Sequence, residues 1–342
     1  MTVELLDRVH EDLLSGDGRV SAALDVLASS LQAAKRELPD TVWTTFVEMC
    51  RAHPLRDLLH QDPLTARAFA MSRGYQGDAE LLDIIYAGDY RNCWTEPVTT
   101  LGESIFRHTI QRQAPAAVRE RRRYLATQID ACCVATPGAA ILSVACGHLR
   151  ELEVSLAFQA RAFGRLVGLD RDTATLAYVE RTWGPLGVEA RSASIEMFLS
   201  NEPPAERFDL IYVAGLYDYL DELPAQYVTE KLFGMLHRRG RLLIGNYTPE
   251  NGDAGYMEAF MGWELAYRDA AAMRRLVQRL PAPAIASVET ANDQTGAVIY
   301  LDVRSRERRA SRSANTKPSR STTTPGSTGI GRANIGPSHA NE

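Results

Sequence analysis

Ala145, Cys146 and Gly147 form a run of small residues directly after the apolar stretch Ile141, Leu142, Ser143, Val144. Asp170 ends a second apolar stretch, Leu166, Val167 and Leu169, 23 positions beyond Gly147. Small side chains at such a turn let backbone approach a ligand closely, and a carboxylate ending the next strand can accept both hydroxyls of a ribose. Together they predict a nucleoside site in an open α/β sheet. A pyrophosphate binder would use G-x-G-x-x-G, with bare backbone facing phosphate at a helix N-terminus. Here the three glycine positions read Ala145, Gly147 and Arg150, which serves a pyrophosphate poorly. S-Adenosylmethionine carries no phosphate and needs only a few main-chain contacts at its amino-acid end. The turn therefore points to that cofactor over a dinucleotide.

The elements that must position these residues follow from the apolar pattern. Residues 1–135 read as helical: Leu5, Leu6, Val9, Leu13 and Leu14 follow helical spacing, as do Val42, Phe46, Val47 and Cys50 before Pro54. Two further helices are predicted over 98–113 and 116–133, the second carrying the basic run Arg119 to Arg123, which reads as a solvated helix face. From Ala139 the texture changes to strand-helix alternation, with strand-like runs at 141–145, 166–169, 187–191, 209–214, 241–245, 284–289 and 297–303. Such alternation implies a parallel sheet covered by helices on both faces. After the fifth run the pattern predicts a long helix over 254–280 and then two strands joined by a turn at 291–296.

A closing hairpin is foreign to a dinucleotide-binding sheet, and residues 139–303 resemble the class I S-adenosylmethionine-dependent methyltransferases. The expected fold is α/β, a seven-stranded Rossmann-like methyltransferase sheet with an antiparallel closing hairpin, preceded by a helical N-terminal domain. More narrowly, HPLRDLLHQDPLTARAFAMSRGYQGDAELLDIIY together with SVACGHLRELE, FDLIYVAGLYDYLDE and MGWELAYR resembles the bacterial methyltransferases assigned to synthesis of 3-hydroxy fatty acid (3-hydroxypalmitic acid) methyl ester signals. The resemblance covers roughly residues 50–303. It implies that Asp170 holds the ribose, that Ala145, Cys146 and Gly147 cradle the methionyl end, and that Ser194 and Ile195 edge the adenine. The class usually carries an acidic residue where this chain has Ser143, so a hydroxyl replaces a charge there. The acceptor would be a fatty carboxylate. Alternatives are a methyltransferase for another small molecule and a non-catalytic S-adenosylmethionine-binding module.

Other residues are candidates by placement. Ala214, Gly215, Tyr217, Asp218 and Tyr219 follow the fourth strand, at the edge where ligands bind in open α/β sheets. Tyr217 and Asp218 are the candidates closest to the chemistry, although no general base is required for a carboxylate acceptor, which is ionised at neutral pH. No convincing His/Asp pair is visible. Asp209 begins the strand and reads as structural. GYQGD, Gly74 to Asp78, reads as a loop in which Tyr75 and Asp78 close over the site like a lid. Trp263 and Tyr267, four apart, are expected on one helix face beside Arg268, a guanidinium able to pair with a carboxylate.

Composition bounds the rest. With 45% hydrophobic and 24% charged residues over 342 positions, the chain is of the ordinary globular class. No run of about eighteen apolar residues predicts a membrane span. The acidic N-terminal stretch lacks the pattern of a signal peptide, and five cysteines without C-x-x-C spacing indicate neither a disulfide framework nor a metal site, so a cytoplasmic protein is expected. The net charge of −5 hides a split, because residues 304–342 carry eight Lys/Arg against two Asp/Glu. That Ser/Thr/Arg-rich tail is expected to be disordered and to contact no nucleic acid, lacking aromatic residues. The division expected is 1–135 helical cap, 136–303 cofactor-binding domain and 304–342 tail, with no prediction of oligomeric state.

Overall fold

The structure, a computed structural model, describes residues 3–194 and 206–307. Ile195 and tail residues 308–342 lie outside the described residues. Eight helices come first: α1 (Val3–Leu14), α2 (Asp17–Glu37), α3 (Asp40–Ala52), α4 (Leu55–Leu59), α5 (Pro63–Ala70), α6 (Ala79–Ala87), α7 (Thr100–Thr109) and α8 (Gln113–Ala135). Then come β1 (Ala140–Val144), α9 (Leu156–Gln159), β2 (Arg165–Asp170), α10 (Thr173–Trp183), β3 (Val188–Ser192) and β4 (Phe208–Val213). The chain continues through α11 (Glu222–Gly234), β5 (Leu236–Tyr247), α12 (Ala254–Phe260), α13 (Ala270–Arg275), β6 (Ile285–Asn292) and β7 (Val298–Ser305).

The strands lie in the order β3-β2-β1-β4-β5-β7-β6. β1 runs parallel to β2 and β4, and the parallel pairing extends to β3 and β5. β7 is antiparallel to both β5 and β6. This is the class I methyltransferase sheet with its closing hairpin. The strands are apolar on both faces because helices cover both. Ile141, Leu210, Tyr212 and Leu243 pack with the N-terminal helices and α10. Their neighbours Leu142, Val144, Ile211, Val213 and Leu242 pack with α11 and α13. The N-terminal helices share a continuous core with one face of the sheet, through residues such as Leu27, Leu64, Leu81 and Ile129. Strand order reverses between β1 and β4, which opens a crevice at the carboxyl ends of those strands.

One expected element is corrected. The predicted helix over 254–280 is two short helices, α12 and α13, separated by nine residues outside regular structure. Gly262 takes φ 58°, a left-handed conformation that ends a helix. Backbone donors beyond it serve tertiary bonds: Ala266 N–H donates to Asp218 O at 2.7 Å and Arg268 N–H to Tyr247 O at 2.9 Å. Trp263 and Tyr267 therefore do not share a helix face.

Candidate functional site

A cavity of about 400 Å³ opens at the carboxyl ends of β1, β2 and β4 and is roofed by the N-terminal helices. Ser143, Ala145, Cys146, Gly147, Asp170, Ser194, Ala214, Gly215, Asp218, Tyr219, Tyr75 and Trp263 all line it. Asp209, at the opposite end of β4, accepts a hydrogen bond from Ala140 N–H at 2.9 Å.

At the β1–β2 end, Asp170 Oδ2 accepts from Gly147 N–H and Oδ1 from Asp172 N–H, each at 3.0 Å. An ionised carboxylate offers about four lone-pair sites, so acceptor capacity remains for two hydroxyls. Ala145 and Leu149 both hold φ 52°, so the turn takes left-handed geometry even where alanine replaces glycine. Cys146 N–H donates to Leu169 O at 3.0 Å, which fixes that geometry to β2. Burial raises the Cys146 thiol well above its ordinary range, so it is no nucleophile.

The charge absent from Ser143 has a nearby source that sequence reasoning missed. Ser143 is paired in the sheet with Tyr212, whose hydroxyl donates to Glu151 Oε1 at 2.6 Å. Glu151 is buried and lines the cavity; burial raises its carboxyl, opposed by the Tyr212 bond. It sits in the single turn Arg150–Glu153, which in sequence looks like any charged surface turn. The missing His/Asp pair also exists: His148 Nδ1 lies 2.8 Å from Asp83 Oδ2. Arg150 Nε donates to the same carboxylate at 2.6 Å, and the His148 ring stacks on Tyr178 at 3.9 Å. Burial works to raise Asp83, but its bonds from Arg150 and His148 prevail and hold it below the usual carboxylate range. The pair ties α6 to the turn after β1 across 65 residues of sequence separation.

At the β4 end the candidates divide. Asp218 is buried and accepts from Tyr247 N–H at 2.7 Å, and burial pushes its carboxyl up to about 6. Tyr219 Oη accepts from Trp263 Nε1 at 2.8 Å and donates to Gln76 O at 3.2 Å. Tyr217 is a correction: its side chain is fully buried against α11, with its hydroxyl 2.9 Å from Thr229 Oγ1, and does not line the cavity. Arg268 is another. Its buried guanidinium donates to Tyr217 O at 2.6 Å, to Asn246 Oδ1 at 2.7 Å and to Leu220 O, so it ties the loop after β4 to β5 and does not line the cavity. Tyr267 lies off the cavity, beneath the Lys35 ammonium at 5.4 Å from its ring centre. The guanidinium groups that do line the cavity are Arg121, Arg150 and Arg171; Arg121 comes from the basic run expected to be solvated, of which only Arg123 is exposed.

The GYQGD loop also divides. Tyr75, Gln76 and Gly77 line the cavity, and Tyr75 Oη donates to Asp172 Oδ2 at 3.2 Å under the Arg171 guanidinium, 4.5 Å from the ring centre. Asp78 faces away: it caps α6 by accepting from Glu80 and Leu81 N–H at 3.0 Å each, and pairs with buried Arg67 at 3.0 Å. Asp78→Ala is therefore expected to cost roughly 3 kcal/mol of stability through the lost cap and a half-stripped buried Arg67. Tyr75→Ala is expected to leave the melting temperature nearly unchanged while lowering cofactor affinity. Thermal melts beside calorimetric titrations check both, and the reverse pattern would return Asp78 to the site.

No protein-family profile and no curated protein matches the chain. Among solved structures it is similar to a possible exported protein from Bordetella parapertussis, at 17% identity and TM-score 0.57, over 80% of this chain and 99% of that one. It is also similar to the N-methyltransferase NodS from Bradyrhizobium japonicum, at 18% identity and TM-score 0.38, over 54% and 96%. A third is magnesium protoporphyrin IX methyltransferase from Synechocystis with bound S-adenosylhomocysteine, at 13% identity and TM-score 0.42, over 67% and 100%. These likenesses concern the fold. Among the described residues no helix is long and apolar enough to cross a membrane.

Proposed function

We propose that the protein is an S-adenosylmethionine-dependent methyltransferase that converts the carboxylate of a hydroxy fatty acid to its methyl ester. The observation that carries the cofactor assignment is the Asp170–Gly147 bond, which joins the ribose-type carboxylate to the open turn at the edge of the sheet. The residues present fit the cofactor. A turn with left-handed backbone at Ala145 and Gly147 faces the cavity, Asp170 keeps acceptor capacity for a ribose, and Glu151 supplies a carboxylate behind Ser143 for a cationic methionyl end. When bound, the cofactor supplies an activated methyl group on a sulfonium.

The chain's own residues then bind, orient and exclude water. Tyr75 and Gln76 close the cofactor side, and Leu82, Val118, Leu125 and Leu265 give the cavity apolar wall. An ionised carboxylate needs no base, so alignment and dehydration carry the rate, an effect worth about 7 to 11 kcal/mol in well-oriented systems. The acyl identity rests on the resemblance of residues 50–303, and a cytoplasmic location on the five unpaired cysteines. A second reading, methylation of a hydroxyl, is favoured by the His148–Asp83 pair, which could take a proton.

Calorimetric titration with S-adenosylmethionine, then mass spectrometry of lipid extracts from cells with and without the protein, tests this. Saturable binding and a protein-dependent methyl ester are expected. Absence of cofactor binding would overturn the proposal, and a methyl group that survives mild alkaline hydrolysis would favour the hydroxyl reading.

A further inference from the structure

We propose that Arg121 anchors an anionic group of the methyl acceptor, so that the cavity selects carboxylates over their neutral counterparts. The inference rests on the methyltransferase reading. Arg121 lies in the middle of α8, is 6% exposed and lines the cavity. One Nη donates to Ala214 O, at the end of β4, which holds the guanidinium at the edge where the acceptor belongs. Its Nε is buried without an acceptor. Among the described residues no carboxylate oxygen comes within the 4.0 Å that defines an ion pair with it.

A guanidinium stays charged in any protein, so it cannot escape burial by losing a proton. Unpaired buried charge is strongly unfavourable, and a site that retains one is built for a counter-charge. Four carboxylates line the same cavity, and each has other partners: Asp83 holds His148 and Arg150, Asp170 the Gly147 and Asp172 N–H groups, Glu151 the Tyr212 hydroxyl and Asp218 the Tyr247 N–H. Burial raises the carboxyls of Glu151 and Asp218 and the Arg121 charge opposes that rise, but neither carboxylate reaches ion-pair distance of the guanidinium. The Tyr86 phenol, which hydrogen-bonds the guanidinium, and the Tyr247 phenol also line the cavity, and both are dipolar and neutral at physiological pH. The group still required is an anion small and planar enough to meet a guanidinium fork, which a carboxylate does bidentately.

The charge change during reaction gives this anchor a second effect. A lone pair of one carboxylate oxygen forms the new O–CH₃ bond as the C–S bond breaks with its electron pair on sulfur, and no proton is exchanged. The acceptor passes from an anion to a neutral ester. Arg121 therefore attracts substrate and releases product, with no conformational step needed to tell them apart.

The test uses the full-length protein saturated with S-adenosylhomocysteine and titrated calorimetrically with 3-hydroxydecanoate, decanoate and benzoate, each beside its methyl ester. At least one acid is expected to bind tenfold or more tighter than its ester. Arg121→Gln is expected to erase that preference while S-adenosylhomocysteine affinity stays within about twofold. Should the Gln variant fail to fold by circular dichroism, Arg121→Lys keeps the charge on a compact head and is expected to retain a reduced preference. Equal binding of acid and ester by the native protein, or a preference that survives Arg121→Gln, would overturn the anchor. An Arg121-dependent preference seen only with benzoate would uphold the anchor and overturn the fatty acid reading. Loss of binding to S-adenosylhomocysteine itself would instead overturn the methyltransferase reading.

Discussion

Asp170→Ala is expected to weaken S-adenosylmethionine binding by about 1 to 3 kcal/mol, the scale of hydrogen bonds to a charged group. Asp170 has two tasks in the structure. It offers free lone pairs at the mouth of the cavity, and it fixes the turn after β1 through Gly147 N–H at 3.0 Å. The alanine variant removes both, so the ribose contact and the placement of the methionyl end fail together. Asp170→Asn separates them. Its amide oxygen can still accept from Gly147 while the charge is gone, so an intermediate loss is expected. Isothermal titration of the three proteins decides the matter. An alanine variant that binds with native affinity and melts at the native temperature would show that the nucleoside lies elsewhere.

Much of the sheet was legible because its determinants are local. Apolar runs of four to six residues bounded by glycine and small turns fix strands, and Ile141 to Val144 or Phe208 to Val213 can hardly do otherwise. The position of Asp170 follows from that alternation, as does the edge on which Ala214 and Asp218 lie. What escaped depends on long-range partners. Arg121 looks like its exposed neighbour Arg123 in sequence, and only the packing of α8 over β4 turns one inward and leaves the other in water. Glu151 is identifiable only once β4 brings Tyr212 to it, and Asp83 only once α6 lies on the turn after β1. The reading of Trp263, Tyr267 and Arg268 as a helical stripe failed for a different reason. A period of four is compatible with a helix, but Gly262 breaks the helix before them, and the backbone donors of Ala266 and Arg268 are taken by Asp218 and Tyr247.

Gly255→Val is expected to cost more than about 3 kcal/mol, above the usual range for overpacking, because the obstacle is backbone with no flexible side chain to yield. A Cβ at this position would stand 2.6 Å from the carbonyl carbon of Leu31, 2.7 Å from its oxygen and 2.9 Å from Gln32 N. α12 and α2 thus meet main chain to main chain. Around that contact Gly255 N–H donates to Gln32 Oε1 at 3.1 Å, and Glu258 receives Trp43 Nε1 and Lys35 Nζ at 2.7 Å each. A side chain at 255 pushes the helices apart and stretches these buried bonds together. Gly18→Ala, where a Cβ meets nothing within 4 Å and φ is ordinary, is the control and should be neutral or slightly stabilising. α12 leads directly to Trp263, which lines the cavity, so a milder Gly255→Ala should also lower acceptor affinity more than cofactor affinity. Denaturant melts and paired titrations measure both effects. Native stability in the valine variant would mean that the other links to α12, such as His60 to Phe260 O and Thr65 to Tyr256, hold it in place, and that the roof of the site does not depend on this crossing.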